Sequence, residues 1–126
     1  MNPLATNCPP LAPEAVALLR QTFGEGKIIS HPDLLEPFAK DATDLHHLPE
    51  LVMEATDASD VQALLRLANT YRFPVTPRGL GTGLTGGAVA VSGGVVLSLA
   101  KMNRILTIDP ENLIAVVEPG VVTGDL

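Results

Sequence analysis

Five of the chain's eleven glycines fall between positions 79 and 87, in the run Pro77-Arg78-Gly79-Leu80-Gly81-Thr82-Gly83-Leu84-Thr85-Gly86-Gly87. This run constrains the fold more than any other segment. Glycine reaches positive φ without steric penalty and lets other groups approach the backbone, so a cluster of them can turn successive N–H groups toward one anion. Gly81-Thr82-Gly83-Leu84-Thr85-Gly86 also fits the GxGxxG pattern. In a doubly wound dinucleotide fold that pattern opens a helix whose N-terminus meets the pyrophosphate. Here the loop is followed by Ala88-Val89-Ala90-Val91-Ser92-Gly93-Gly94, which is β-branched, short and broken by glycine. No helix of useful length fits before the next apolar run. A Walker loop fails too, because no Lys-Ser/Thr follows Gly86. The loop therefore joins strand to strand, as either an anion cradle or a permissive turn. Its length and glycine density exceed what a turn requires.

The flanks fit that reading. Phe73-Pro74-Val75-Thr76 before the loop and Gly94 to Leu99 after it read as strands, the second of a fully buried type. Upstream, Leu51-Val52-Met53 has strand character. Asp57 then stands as an N-cap, with Asp60 in the first turn, where the helix dipole favours negative charge. Val61, Leu64, Leu65, Ala68 and Tyr71 form one apolar stripe at helical spacing. Strand, helix and strand in this order predict a βαβ unit.

Further toward the N-terminus, Pro13 opens a helix that Gly24 and Gly26 stop, Lys27-Ile28-Ile29 is a short strand, and a short helix ends near Pro37. Residues 1–10 read as a loose lead-in, and 41–50 as irregular surface chain. After the loop, Ile105 to Ile108 and Leu113 to Val117 flank Asp109-Pro110-Glu111-Asn112, a type I turn pattern that predicts an antiparallel hairpin. Thr123 reads as the cap of a further helix, so the chain, ending at Leu126, is expected to be a fragment of something longer.

Charge and composition narrow the partners. Net charge is −6 and aromatics are 3% with no Trp, which argues against nucleic acid, whose binders carry basic surfaces and stacking platforms. Residues 61–108 nevertheless hold five basic and no acidic side chains: Arg66, Arg72, Arg78, Lys101 and Arg104. This is either a solvated basic face or a local field suited to an anion. The sole cysteine, Cys8, allows no internal disulfide, and a cytoplasmic setting follows as the expectation. The N-terminus lacks a signal-peptide pattern, and the most apolar stretch is too short to span a bilayer.

The loop and its surroundings resemble the FAD-linked oxidases of the vanillyl-alcohol-oxidase (PCMH) type, most nearly the glycolate oxidase FAD subunits and flavin-dependent D-lactate dehydrogenases. The resemblance runs from Asp57-Ala58-Ser59-Asp60-Val61 and Arg72-Phe73-Pro74-Val75 through the loop. It continues in Gly93 to Leu99, Met102-Asn103-Arg104-Ile105, Ile108 to Asn112 and Val117-Glu118-Pro119-Gly120-Val121, and covers about residues 38–126.

The resemblance implies an α+β fold: an incomplete PCMH-type FAD-binding domain with a small parallel βαβ subdomain and the start of a second, mixed-sheet subdomain. Residues 1–37 would be a helical lead-in and 38–126 the N-terminal part of the flavin domain. The backbone from Arg78 to Gly83 would wrap the FAD pyrophosphate, with Leu84, Thr85 and Gly86 continuing along the cofactor and Pro119 and Gly120 bringing a second loop against the flavin. Cofactor-binding positions are thus expected at Pro77, Arg78, Gly79, Leu80, Gly81, Thr82, Gly83, Leu84, Thr85, Gly86, Pro119 and Gly120. Thr82 stands where covalently flavinylated relatives carry His, so FAD is expected to be held non-covalently. The full protein would oxidise a small 2-hydroxy acid of the glycolate or D-lactate class and pass electrons to a non-oxygen acceptor or partner subunit. It would sit in the cytoplasm or on the membrane periphery.

No catalytic residue and no metal ligand is nominated: His31, His46 and His47 lack a supporting constellation, and Asp41 and Asp44 read as an exposed polar loop. Two readings from other classes remain open, a nucleotide- or phosphate-binding module and a non-catalytic subunit docking through an exposed apolar edge.

Overall fold

A computed structural model describes residues 8–126, so residues 1–7 of the loose stretch expected over 1–10 lie outside the described residues. Helix α1 spans Pro13–Phe23, with Pro at its start, Glu14 in the first turn and Arg20 in the last. Gly24, at φ 75°, ends it and returns its amide to the Arg20 carbonyl at 2.9 Å. Strand β1, Ile28–Ile29, follows. Helix α2, Pro32–Leu35, runs into a 3-10 turn at Glu36–Phe38. Residues 41–50 are irregular chain, with one isolated bridge between Lys40 and His46.

Strand β2, Leu51–Glu54, leads to helix α3, Ala58–Tyr71. Asp57 caps it by accepting from the amides of Ser59 and Asp60 at 2.8 and 3.1 Å. The buried stripe of α3 is narrower than its sequence suggests. Leu64 and Ala68 are buried, with Val61 and Leu67 packed against the core, whereas Leu65 and Tyr71 stay exposed. Leu65 lies about 100° round the helix from Leu64, and Tyr71 is the last helical residue.

Strands β3, Val75–Arg78, and β4, Val95–Ser98, complete a four-stranded sheet in the order β1-β2-β4-β3. The pairs β2·β4 and β4·β3 are parallel and β1 is antiparallel to β2. The expected βαβ unit is present, but β4 separates its two strands. All four β4 residues are buried, and such a strand belongs at a sheet's centre. β3 carries Thr76, Pro77 and Arg78 and takes the edge, where proline's missing N–H is tolerated. It also begins two residues later than expected and runs directly into the glycines.

Alternation along the central strands divides the core. Leu51, Met53, Val95 and Leu97, with Ile28 beside Met53 in the sheet, pack with Leu19 and Leu64, while Val52 and Val96 pack with Leu35 and Ala90. Residues before the glycine loop, including α1 and β1, therefore share one sheet and one core with those after it.

Residues 79–94 contain turns and bends but no helix. Strands β5, Ile105–Asp109, and β6, Ile114–Val117, form the expected hairpin, a separate antiparallel ribbon with a bulge after Ile105. In the ribbon's turn, Asp109 Oδ1 accepts from the Asn112 amide at 3.0 Å, and Leu113 takes the left-handed conformation at φ 54°. Thr123 opens a 3-10 turn, Thr123–Asp125, and makes no capping bond.

Candidate functional site

The parallel strands β3 and β4 end side by side, Arg78 opposite Ser98. Crevices beyond the carboxyl ends of parallel strands are where open α/β sheets bind ligands. The chains leaving them are tied together there: the Leu99 amide donates to the Arg78 carbonyl at 2.8 Å. Gly120 then donates to the Met102 carbonyl at 2.8 Å, bringing the segment after the ribbon up against the glycine loop. Gly120 is required for that approach, since a Cβ would lie 2.5 to 2.9 Å from the carbonyl oxygens of Leu99, Ala100 and Met102.

Between the two segments lies a cleft of about 420 Å³. Gly79 to Gly83 and Ala88 form one wall; Pro119 and residues 121–124 form the other. Among the described residues, the amides of Leu80, Gly81, Thr82 and Gly83 donate to no protein acceptor. The Gly83 carbonyl is engaged from behind, accepting from the Ala42 amide at 3.1 Å. The loop is thus anchored through a carbonyl while its N–H groups remain available in a concave, glycine-lined space. That donor set suits a phosphate or pyrophosphate oxygen, each hydrogen bond to a charged oxygen contributing about 1.5–3 kcal/mol net.

Of the expected positions, Gly79, Leu80, Gly81, Thr82, Gly83 and Pro119 meet at the cleft. The other six lie around it. Pro77 is exposed on β3, Leu84 and Thr85 are exposed beyond the loop, and Gly86 sits against the Leu45 side chain. Gly120 is buried behind Pro119, and the Arg78 side chain is buried beneath the loop. Ala88 and residues 121–124 were not anticipated; their only local signal is the small-residue run after Pro119-Gly120.

The electrostatics differ from a basic face. Lys101 pairs with Glu54 at 2.7 Å and Arg104 with Glu118 at 2.6 Å, so acids from outside the 61–108 segment neutralise two of its cations. Glu118 is buried, accepts from the Arg104 amide at 2.8 Å and Nε at 3.0 Å, and is held below the usual carboxylate range by the Arg104 side chain. It fixes the chain immediately before Pro119.

Burial lowers the pKa of Arg78, and the Asp41 carboxylate opposes that shift. Asp41, read from the sequence as part of an exposed polar loop, instead turns its carboxylate inward. It is half-buried, its Oδ1 accepts from the Thr43 hydroxyl and amide at 2.5 and 2.9 Å, and its buried Oδ2 has no hydrogen-bond partner. The Thr43 hydroxyl, then the Thr43 amide, hold its carboxyl below the usual range. Asp44 is exposed, and His46 pairs with Glu36 at 2.8 Å.

Comparison with known proteins places these residues in context. The family model described as an FAD binding domain matches residues 49–126. The chain is 36% identical over 118 residues to a D-lactate dehydrogenase of Anaerostipes hadrus, covering 92% of this chain and 25% of that protein. It is 40% identical over 90 residues to the glycolate oxidase subunit GlcD of Bacillus subtilis, covering 71% of this chain and 19% of that subunit. Among solved structures, substrate-bound p-cresol methylhydroxylase matches with a TM-score of 0.76 at 34% identity, over 88% of this chain and 22% of that one. The chain thus spans about a quarter or less of the length of these relatives.

Proposed function

The chain belongs to the FAD-binding-domain family of oxidoreductases, whose cofactor is FAD, and on that premise we propose that Gly79 to Gly83 hold the FAD pyrophosphate while Pro119 and residues 121–124 close the opposite side. The observation that carries this reading is the set of uncommitted amides from Leu80 to Gly83 in a cleft at the ends of two parallel strands. Residues 38–126 then supply the pyrophosphate-binding part of the flavin domain, and the lead-in within 1–37 packs α1 and β1 onto its sheet. Thr82 offers a hydroxyl and no ring nitrogen for a covalent flavin link, so binding is non-covalent.

When bound, FAD would accept two electrons from the substrate carbon. The chain's own contribution would be to grip and orient: amides donate to the diphosphate oxygens, and the second wall faces them across the cleft. The whole protein would oxidise a small 2-hydroxy acid of the glycolate or D-lactate class, a reading supported by the names of the two relatives. Electrons would leave to an acceptor other than oxygen, in line with relatives named as subunits, GlcD and the flavoprotein subunit of a 4-cresol dehydrogenase from Pseudomonas putida. A place in the cytoplasm or on the membrane periphery agrees with the described residues, which contain no helix long and apolar enough to cross a membrane.

Titration of the chain with FAD, followed by flavin absorbance and fluorescence, tests the assignment. A Cβ at Gly83 would meet nothing within 4 Å, so Gly83→Val should keep the fold while its side chain invades the cleft. The expected result is a loss of FAD affinity of about tenfold or more, as for one lost charged hydrogen bond. Unchanged affinity with the fold intact would overturn the loop assignment. Competition by ADP or NAD as effective as FAD itself would point instead to a general nucleotide-binding module.

A further inference from the structure

We propose that Arg78 is a positioning residue, its buried guanidinium forming the floor on which the glycine loop is held, with the segment from Pro37 to Leu45 fixing that floor in place; this rests on reading the cleft as a pyrophosphate site. Arg78 is only 7% exposed, yet it makes no ion pair among the described residues. Its Nη2 donates to the Pro37 carbonyl at 3.1 Å and its Nη1 to the Ala88 carbonyl at 3.4 Å, while the Phe38 ring centroid lies 5.9 Å from its Cζ. A buried cation is costly unless an anion offsets it. Asp41 acts on it only from beyond ion-pair distance.

The guanidinium lies directly against the loop. A Cβ on Gly81 would overlap its nitrogens and Cζ, and Gly81 holds a φ of 73° there. Because Gly81 also lines the cleft, one peptide separates the buried charge from any anion bound there. In a region of low dielectric such a charge attracts an anion strongly and is screened little by salt. A bound pyrophosphate would supply the counter-charge that the protein withholds.

Apart from the Ala88 carbonyl, the supports come from one stretch of chain. Besides the Pro37 carbonyl and the Phe38 ring, Ala42 donates to the Gly83 carbonyl and the Leu45 side chain lies under Gly86. All four precede the residues matched by the family model, which begin at 49. The binding loop therefore depends on chain outside the matched region for its shape.

The test uses Arg78→Met, which keeps length and removes charge, with two readouts. The first is ¹⁵N relaxation of the loop amides without ligand; the second is affinity for FAD, ADP and riboflavin, the last lacking any phosphate. We expect the amides of 79–87 to become mobile while β2 and β4 are unchanged. Affinity for FAD and ADP should fall about tenfold or more, and that for riboflavin should not. A wild-type loop together with wild-type FAD affinity would overturn the proposal. Should wild-type chain bind none of the probes while Arg78→Met still loosens the loop, the cofactor reading fails and the positioning role stands. If Arg78→Met does not fold, Arg78→Lys carries the test. It retains the charge but cannot make both carbonyl bonds, so intermediate FAD affinity with a looser loop is expected, and wild-type behaviour in both readouts would overturn the proposal.

Discussion

Glu118 anchors the second wall of the cleft as Arg78 underlies the first. Its carboxylate accepts from the amide, Nε and Nη2 of Arg104, which draws the chain entering Pro119 back onto the chain entering β5. These bonds depress its folded pKa, so the stability it contributes is present above its unfolded pKa and is lost as pH falls through the lower folded value. Asp41, Asp57, Asp60 and Asp109 are shifted the same way, so the protein as a whole should weaken in acid. Thermal unfolding at a series of pH values should show Glu118→Gln less stable than wild type at neutral pH, with the gap closing below about pH 4. A gap of constant size across that range would mean the carboxylate's charge contributes nothing. The glycines themselves were legible because their spacing is local. The burial of Arg78 was not: its Pro37 partner lies 41 positions away, and no local pattern encodes that contact. Asp41 departs from its sequence reading for the same reason, because the charge it faces, Arg78, is distant in the chain.

Among the elements, α3 shows both what periodicity conveys and where it stops. The Asp57 cap, the start of the helix and the buried pair Leu64 and Ala68 follow from sequence, because capping and the 3.6-residue repeat are properties of the helix alone. Which flank of the stripe joins the core depends on the sheet beneath. Leu67 packs against the core and Leu65 does not, although both border the stripe. Leu64→Ala should therefore cost about 2–5 kcal/mol and Leu65→Ala no more than about 0.5 kcal/mol, as read by urea unfolding. Equal costs would mean that the helix is rotated from this description. The position of β4 between β2 and β3 likewise escaped a reading by chain order. It accords with the wholly buried Val95 to Ser98 and with Pro77 on its neighbour, since the most apolar strand takes the centre and the proline strand the edge.

At the scale of the whole molecule the two sheets are unequal. The four-stranded sheet is packed on both faces, whereas the β5–β6 ribbon presents Ile105, Leu106, Ile108, Ile114, Val116 and Val117 to solvent, with Leu113 91% exposed at its turn. Two-stranded ribbons are marginal alone, and unpaired strand edges with apolar side chains recruit other chains. The site shares this ribbon's fate, because Glu118 and Pro119 continue directly from β6 and residues 121–124 form a wall of the cleft. A 126-residue chain that presents the ribbon uncovered should self-associate. Light scattering should give an apparent mass that rises with concentration, and the double variant Ile108→Lys with Val116→Lys should lower it toward that of one chain, since inward or edge lysines oppose strand pairing. If the ribbon is the contact, FAD titrations of this variant and of wild type should also differ, for association and the cleft wall meet at the same strand. A monomeric wild type at every concentration would show instead that the exposed ribbon is tolerated by the isolated chain.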